Sequence, residues 1–169
     1  MERQASFPGT PSPRIRFAVL AVFAAAMGWL EGVVVVYIRG LLGVAQHDAL
    51  PRGDEVMRRF AALPWLLRAE QSRELATLVM LATVAWLTGD RARSRIGGFL
   101  IAFGIWDIVY YVALYAMLGW PASPMDMDVL FLIPPHPWWS QPVWVPIAIS
   151  CLLIAAGTRF SLASSRASR

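Results

Sequence analysis

The sequence predicts an all-α integral membrane protein, four transmembrane helices in a bundle with both termini cytoplasmic and an interfacial segment on the outer side. Three observations carry this. Hydrophobic residues make up 57% of the 169-residue chain and charged residues only 15%, whereas a soluble domain carries about 25% charge. The apolar residues gather into runs long enough to cross a bilayer. All 15 cations are Arg and are placed unevenly between those runs, as membrane topology requires.

The first span is read over 17–38, between Arg16 and Arg39. Its 22 or so residues make about 33 Å of helix, against about 30 Å of hydrocarbon. A signal peptide is the rival reading, since Arg14 and Arg16 precede Ala24, Ala25 and Ala26. The apolar run continues through Val33 to Val36, however, further than a cleaved signal needs. The second span is read over 72–89, with Glu70 to Glu74 at its entrance and Arg91, Arg93 and Arg95 behind it. The third, 96–119, stops before Pro121, which would break the helical hydrogen-bond ladder. The fourth, 142–157, starts at prolines that a first helical turn tolerates and ends at Gly157. Backbone polar groups cannot stay unpaired in lipid, so all four are expected to be helices. Together they form one domain, 16–158, between an N-terminal segment 1–15 and a tail 159–169 that both lack the apolar content to fold.

Arg91, Arg93 and Arg95 lie within five residues, and the connection from Pro121 to Gln141 has no cation. The positive-inside tendency puts the former, and with it both termini, in the cytoplasm of a bacterial inner membrane. Arg39, Arg52, Arg58, Arg59 and Arg68 in the first connection run against this orientation. In that connection Val56, Phe60 and Leu63 recur at helical spacing after Asp54, which predicts a short helix lying on the outer leaflet and broken at Pro64. The stretch 121–146 holds Trp138, Trp139, Trp144 and more than half of the 12 prolines. Its apolar core, Val129 to Ile133, is too short to span, and the stretch either anchors at headgroup depth or folds over the bundle mouth.

Several polar residues are out of place in lipid. Glu31 interrupts the first span, where an unpaired carboxylate costs on the order of 2 to 3 kcal/mol or more. Gly28 and Gly32 flank it as a GxxxG pair, so that face is expected to meet a neighbouring helix and Glu31 to point near the interior. Glu70 and Glu74 repel at i, i+4; a bound cation, a shared proton, or Arg68 and Arg73 as counter-charges would offset this. Asp107 falls mid-span with Tyr110 and Tyr111 at i+3 and i+4, and an intramembrane carboxylate is a functional-site candidate by default. Counted along the helices, Glu31 is about 12 Å and Asp107 about 18 to 20 Å below the outer surface. They are therefore expected to form a deep pair, with Glu74 at the mouth, linked by water or ligand.

Glu31 and Asp107 are the candidate catalytic groups, with Glu74, Tyr110, Tyr111 and His136 as substrate-binding residues. Metal candidates are Glu31, Glu70, Glu74, Asp107 and His136, which would suit a divalent ion, although no HExxH or Glu-x-x-His pattern is present. His47, Asp48, Asp126 and Asp128 lie on the same expected side. A membrane enzyme or a binding protein for a small molecule or metal ion is one reading. An accessory subunit pairing with a partner chain, a homo-oligomer, and a small transporter or proton relay are the others. The arginines form no dense basic run, which speaks against nucleic acid.

Trp106, Asp107, Tyr110 and Tyr111, with Leu118 to Pro121, Asp128, Leu130 to Pro134 and Pro142 to Pro146, resemble the motif set of a family of short bacterial multi-pass membrane proteins. The resemblance covers the C-terminal half and implies a membrane fold but no activity or site residue. Four-helix thiol oxidoreductases do not fit the lone Cys151, and proteases of the Glu-Glu-x-x-x-Arg type do not match Glu70, Gln71 and Arg73.

Overall fold

The computed structural model describes residues 12–44, 48, 53–89 and 91–166. The chain runs α1 (Pro13–Leu41), α2 (Gly53–Ala62), α3 (Pro64–Trp86), α4 (Ala92–Leu118), β1 (Met127–Val129), a 3-10 turn (Pro137–Trp139), β2 (Ser140–Pro142) and α5 (Trp144–Arg166). Among the described residues three helical stretches are long and apolar enough to cross a membrane: Arg14–Leu41, Ala92–Leu118 and Trp144–Ser161.

Two of the helices, α1 and α3, start where the sequence offers a proline. Ser12 accepts from the Ile15 amide and Pro13 takes the first position of α1, satisfying one of the free donors of the first turn. Pro64 does break the preceding helix, but it also begins the next one. The second helix therefore opens at 64 rather than 72, because a proline at its first position has no N–H to lose. α4 stops at Gly119 in the left-handed conformation, φ 67°, which glycine adopts without a Cβ penalty. α5 continues past Gly157 to Arg166. The expected tail from 159 is thus helical over most of its length, and Gly157 serves helix contact rather than helix termination.

α4 is the central helix, packing against α1, α3 and α5. Small residues set the distances. A Cβ at Gly32 would come within 2.7 Å of the Ala113 Cβ, and one at Gly28 would strike the Trp106 carbonyl. The GxxxG pair is therefore the α1–α4 seam. Gly97 and Gly157 form the equivalent seam with α5, each within 2.8 Å of the other's carbonyl oxygen if a Cβ is added. At one end Leu20, Ala24, Leu81, Ala102 and Trp106 make the core; towards the other, Tyr111, Leu114, Trp120 and Val143 do.

Two expectations change. The outer helix α2 does exist, but Val56 and Phe60, each 4% exposed, pack on Ile38, Leu42, Leu66 and Leu132 rather than on lipid. Arg59 fixes it there by donating Nη1 to the Leu42 carbonyl at the end of α1, 2.8 Å away. The fold is also not purely helical: β1 and β2 pair antiparallel with Asp128 opposite Gln141. The proline-rich stretch thereby closes into a hairpin whose tip, between Leu130 and Trp139, lies over the bundle.

Candidate functional site

Beneath this hairpin is a cavity of about 300 Å³ with largely apolar walls, bordered by α1, α2, α3, α4, α5 and the hairpin itself. Glu31, Glu70, Glu74, Asp107, Tyr110 and Tyr111 all border it. Each is held differently.

The glycine seam sets α1 against α4 and leaves Glu31, 9% exposed, facing α3. Arg73 pairs with it through Nη1, and the Thr77 hydroxyl donates to its second oxygen at 3.3 Å. The same guanidinium donates to both oxygens of Glu70, from Nε to Oε1 at 3.1 Å and to Oε2 at 2.9 Å, and from Nη2 to Oε2 at 2.8 Å. One cation therefore pairs with two buried carboxylates from two helices. This resolves the acidic entrance of α3: Arg73 is the counter-charge, while Arg68 is exposed.

Glu74 is not an open mouth residue. Both its oxygens accept from the Leu132 amide, at 2.9 and 3.0 Å, and the Gln71 side-chain amide donates to the Leu132 carbonyl at 2.9 Å. α3 thus grips both main-chain groups of one hairpin residue. The Leu132 side chain, 5% exposed, completes the attachment by entering the α2 cluster.

On the other wall, Ser150 of α5 donates its hydroxyl to Asp107 at 2.8 Å. Asp128 of β1, 4% exposed, accepts from the Tyr111 hydroxyl at 2.9 Å, from Tyr110 at 3.4 Å and from the Val129 amide at 2.9 Å. Burial pushes the Asp128 carboxyl above the ordinary aspartate range, against the pull of those donors and of the Arg39 charge. Arg39, 3% exposed, borders the same cavity. Its guanidinium lies 4.8 Å from the centre of the Trp120 ring, and Nη2 donates to the Asp48 carbonyl. Its Nε and Nη1 are buried with no hydrogen-bond partner among the described residues.

The expected deep pair of Glu31 and Asp107 shares the cavity, but no hydrogen bond joins the two among the described residues; each has its own partner. His136 does not border the cavity. It is exposed, and its Nδ1 accepts from the Trp138 amide inside the hairpin turn, so the segment around it covers the site while the imidazole does not reach it. The metal candidates do not converge either: among the described residues no three His, Cys, Asp or Glu side chains form a ligand group. His47 lies outside the described residues.

Sequence reasoning missed Arg39, Gln71 and Ser150, and placed Asp128 only among the polar residues on the expected outer side. Arg39 reads as the end of a span, and the other three have no local pattern that marks their tertiary partners. No family model matches the chain, and no curated protein or solved structure is found to be similar to it.

Proposed function

We propose that this protein is a multi-pass protein of the bacterial cytoplasmic membrane that binds a small, mainly apolar molecule under the α3-anchored hairpin. The cavity carries the reading: a concave, largely apolar volume with a few fixed polar groups on its wall is the usual form of a small-molecule site. Asp107 and Asp128, whose partners are neutral hydroxyls and an amide, can face a ligand without first breaking an ion pair or releasing the hairpin that Glu74 holds.

In this reading α3 is the fourth span despite its charged first half. Glu70, Arg73 and Glu74 turn inward, while Leu75, Val79, Met80 and Trp86 are exposed on the outside, as a lipid-facing surface would be. An even number of spans puts both termini on one side, and the Arg91, Arg93 and Arg95 cluster favours the cytoplasm. The cavity then opens outward. Reporter fusions after Arg95 and Arg166 are expected to be cytoplasmic and one at Asp126 external; the reverse pattern defeats the orientation.

Binding is tested in nanodiscs with n-octanol as a small apolar probe. Wild-type protein is expected to bind it saturably and to melt higher in its presence, whereas Val35→Trp, which fills the cavity from α1, is expected to lose both effects. An unchanged response in Val35→Trp, or none in wild type, overturns the reading.

A further inference from the structure

Arg39 is a buried cation whose donors exceed its acceptors. Guanidinium stacking on Trp120 uses the face of the planar group and leaves its edge N–H groups unspent. The Asp48 carbonyl takes one of those edges through Nη2, and Nε and Nη1 have no acceptor among the described residues. Buried donors without partners are rare in folded proteins and costly when charged. The cavity's own carboxylates are engaged elsewhere: Glu31 and Glu70 by Arg73, Glu74 by the Leu132 amide, Asp107 by Ser150, and Asp128 by Tyr111 and Val129. The missing acceptor has to arrive with the occupant.

The geometry points to Arg39 as the head-group receptor of the cavity, whose ligand is a small single-chain amphiphile ending in a carboxylate or phosphate. Its anionic oxygens meet Nε and Nη1, and its apolar body fills the space between α1, α4 and the hairpin. This rests on the reading of the cavity as a binding site. Two further observations favour an anion over a neutral polar group. Two carboxylates bear on Arg39, Asp48 and Asp128; Asp48 is solvent-exposed, and Asp128 already shares its charge with two tyrosine hydroxyls and an amide. Burial also drives Asp128 towards its neutral form, leaving the guanidinium without full compensation. The cavity is at the small end of the range for ligand sites, which suits one short chain better than a diacyl lipid.

The test uses the full chain in nanodiscs made of zwitterionic lipid, titrated with octanoate, octyl phosphate, n-octanol, octyltrimethylammonium and inorganic phosphate. Wild-type protein is expected to bind octanoate and octyl phosphate about 10- to 100-fold tighter than octanol, the range that charge-assisted hydrogen bonds to a cation supply. Arg39→Met is expected to lose this preference while melting no lower than wild type, because it removes the unpartnered donors. Arg39→Lys, which keeps the charge, is expected to retain part of the preference. Equal binding of octanoate and octanol by wild type overturns the assignment, as does a preference that survives in Arg39→Met or a marked loss of stability in that variant. Inorganic phosphate binding as tightly as octyl phosphate overturns the amphiphile in favour of a free anion. Failure of every probe, octanol included, is a different result and defeats the cavity reading itself.

Discussion

The two walls of the cavity bury carboxylates by different means. On the α1–α3 wall, Glu31 and Glu70 share an ion pair with the single cation Arg73. On the α4–α5 wall, Asp107 and Asp128 receive only hydroxyl and amide donors. An ion pair in low dielectric is tolerable only while both members are present, since removing one strands a buried charge. A carboxyl held by neutral donors keeps its hydrogen bonds whether or not it carries a proton. The first wall is therefore expected to bear stability, and the second to tolerate change in charge.

Arg73→Met breaks the comparison hardest. It strands two carboxylates and is expected to cost about 3 to 5 kcal/mol, read as a fall in thermal unfolding temperature in detergent or nanodiscs. Adding Glu31→Gln and Glu70→Gln is expected to restore most of it, since replacing a whole buried ionic cluster is often nearly neutral. No recovery in the triple variant would show that the cation does more than compensate charge.

Glu74→Ala comes next, because it orphans the Leu132 amide. The cost expected is about 1 to 3 kcal/mol, with faster hydrogen exchange confined to the hairpin from 128 to 132. Exchange that rises throughout α3 instead would mean that the hairpin holds the helix rather than the reverse.

On the second wall, the sign of the pH effect follows from the raised pKa of Asp128. A folded-state pKa above the unfolded value favours the native state fully at low pH, and that contribution is lost as pH rises from about 4 through the folded pKa. Asp128→Asn cannot ionise, so its melting temperature is expected to gain on wild type as pH is raised from 4 to 7. A gap between the two that is independent of pH would place an ionised Asp128 in the native state across that range.

Asp107→Asn is expected to have the smallest effect on stability, below about 1 kcal/mol, because the amide can still accept from Ser150. A loss as large as that of Arg73→Met would erase the distinction between the walls.

How far the sequence could be read follows the same division. The apolar runs and the GxxxG spacing made α1, α4, α5 and the α1–α4 seam legible, since those signals are local and periodic. Glu31, Asp107, Tyr110 and Tyr111 stood out because each is costly in lipid, and all border the cavity. The start of α3 was misread because Arg68, Glu70, Arg73 and Glu74 look like a water-facing entrance until Glu31 from another helix supplies the third member of the cluster. His136 drew attention as one of two histidines, yet its ring is used within its own turn. Arg39 and Asp128 depend on a hairpin whose docking no local pattern announces.

The hydrogen bonds by which α3 holds the hairpin are made to main-chain atoms. Gln71 and Glu74 read the carbonyl and amide of Leu132, groups that every residue except proline carries. Side chains on the cavity-facing side of the hairpin, such as Leu130 and Phe131, are therefore free to be exchanged without undoing the attachment. The molecule separates what holds its cover from what its cover touches, so selectivity for a new occupant can be acquired by substitutions in the hairpin while the transmembrane scaffold stays as it is.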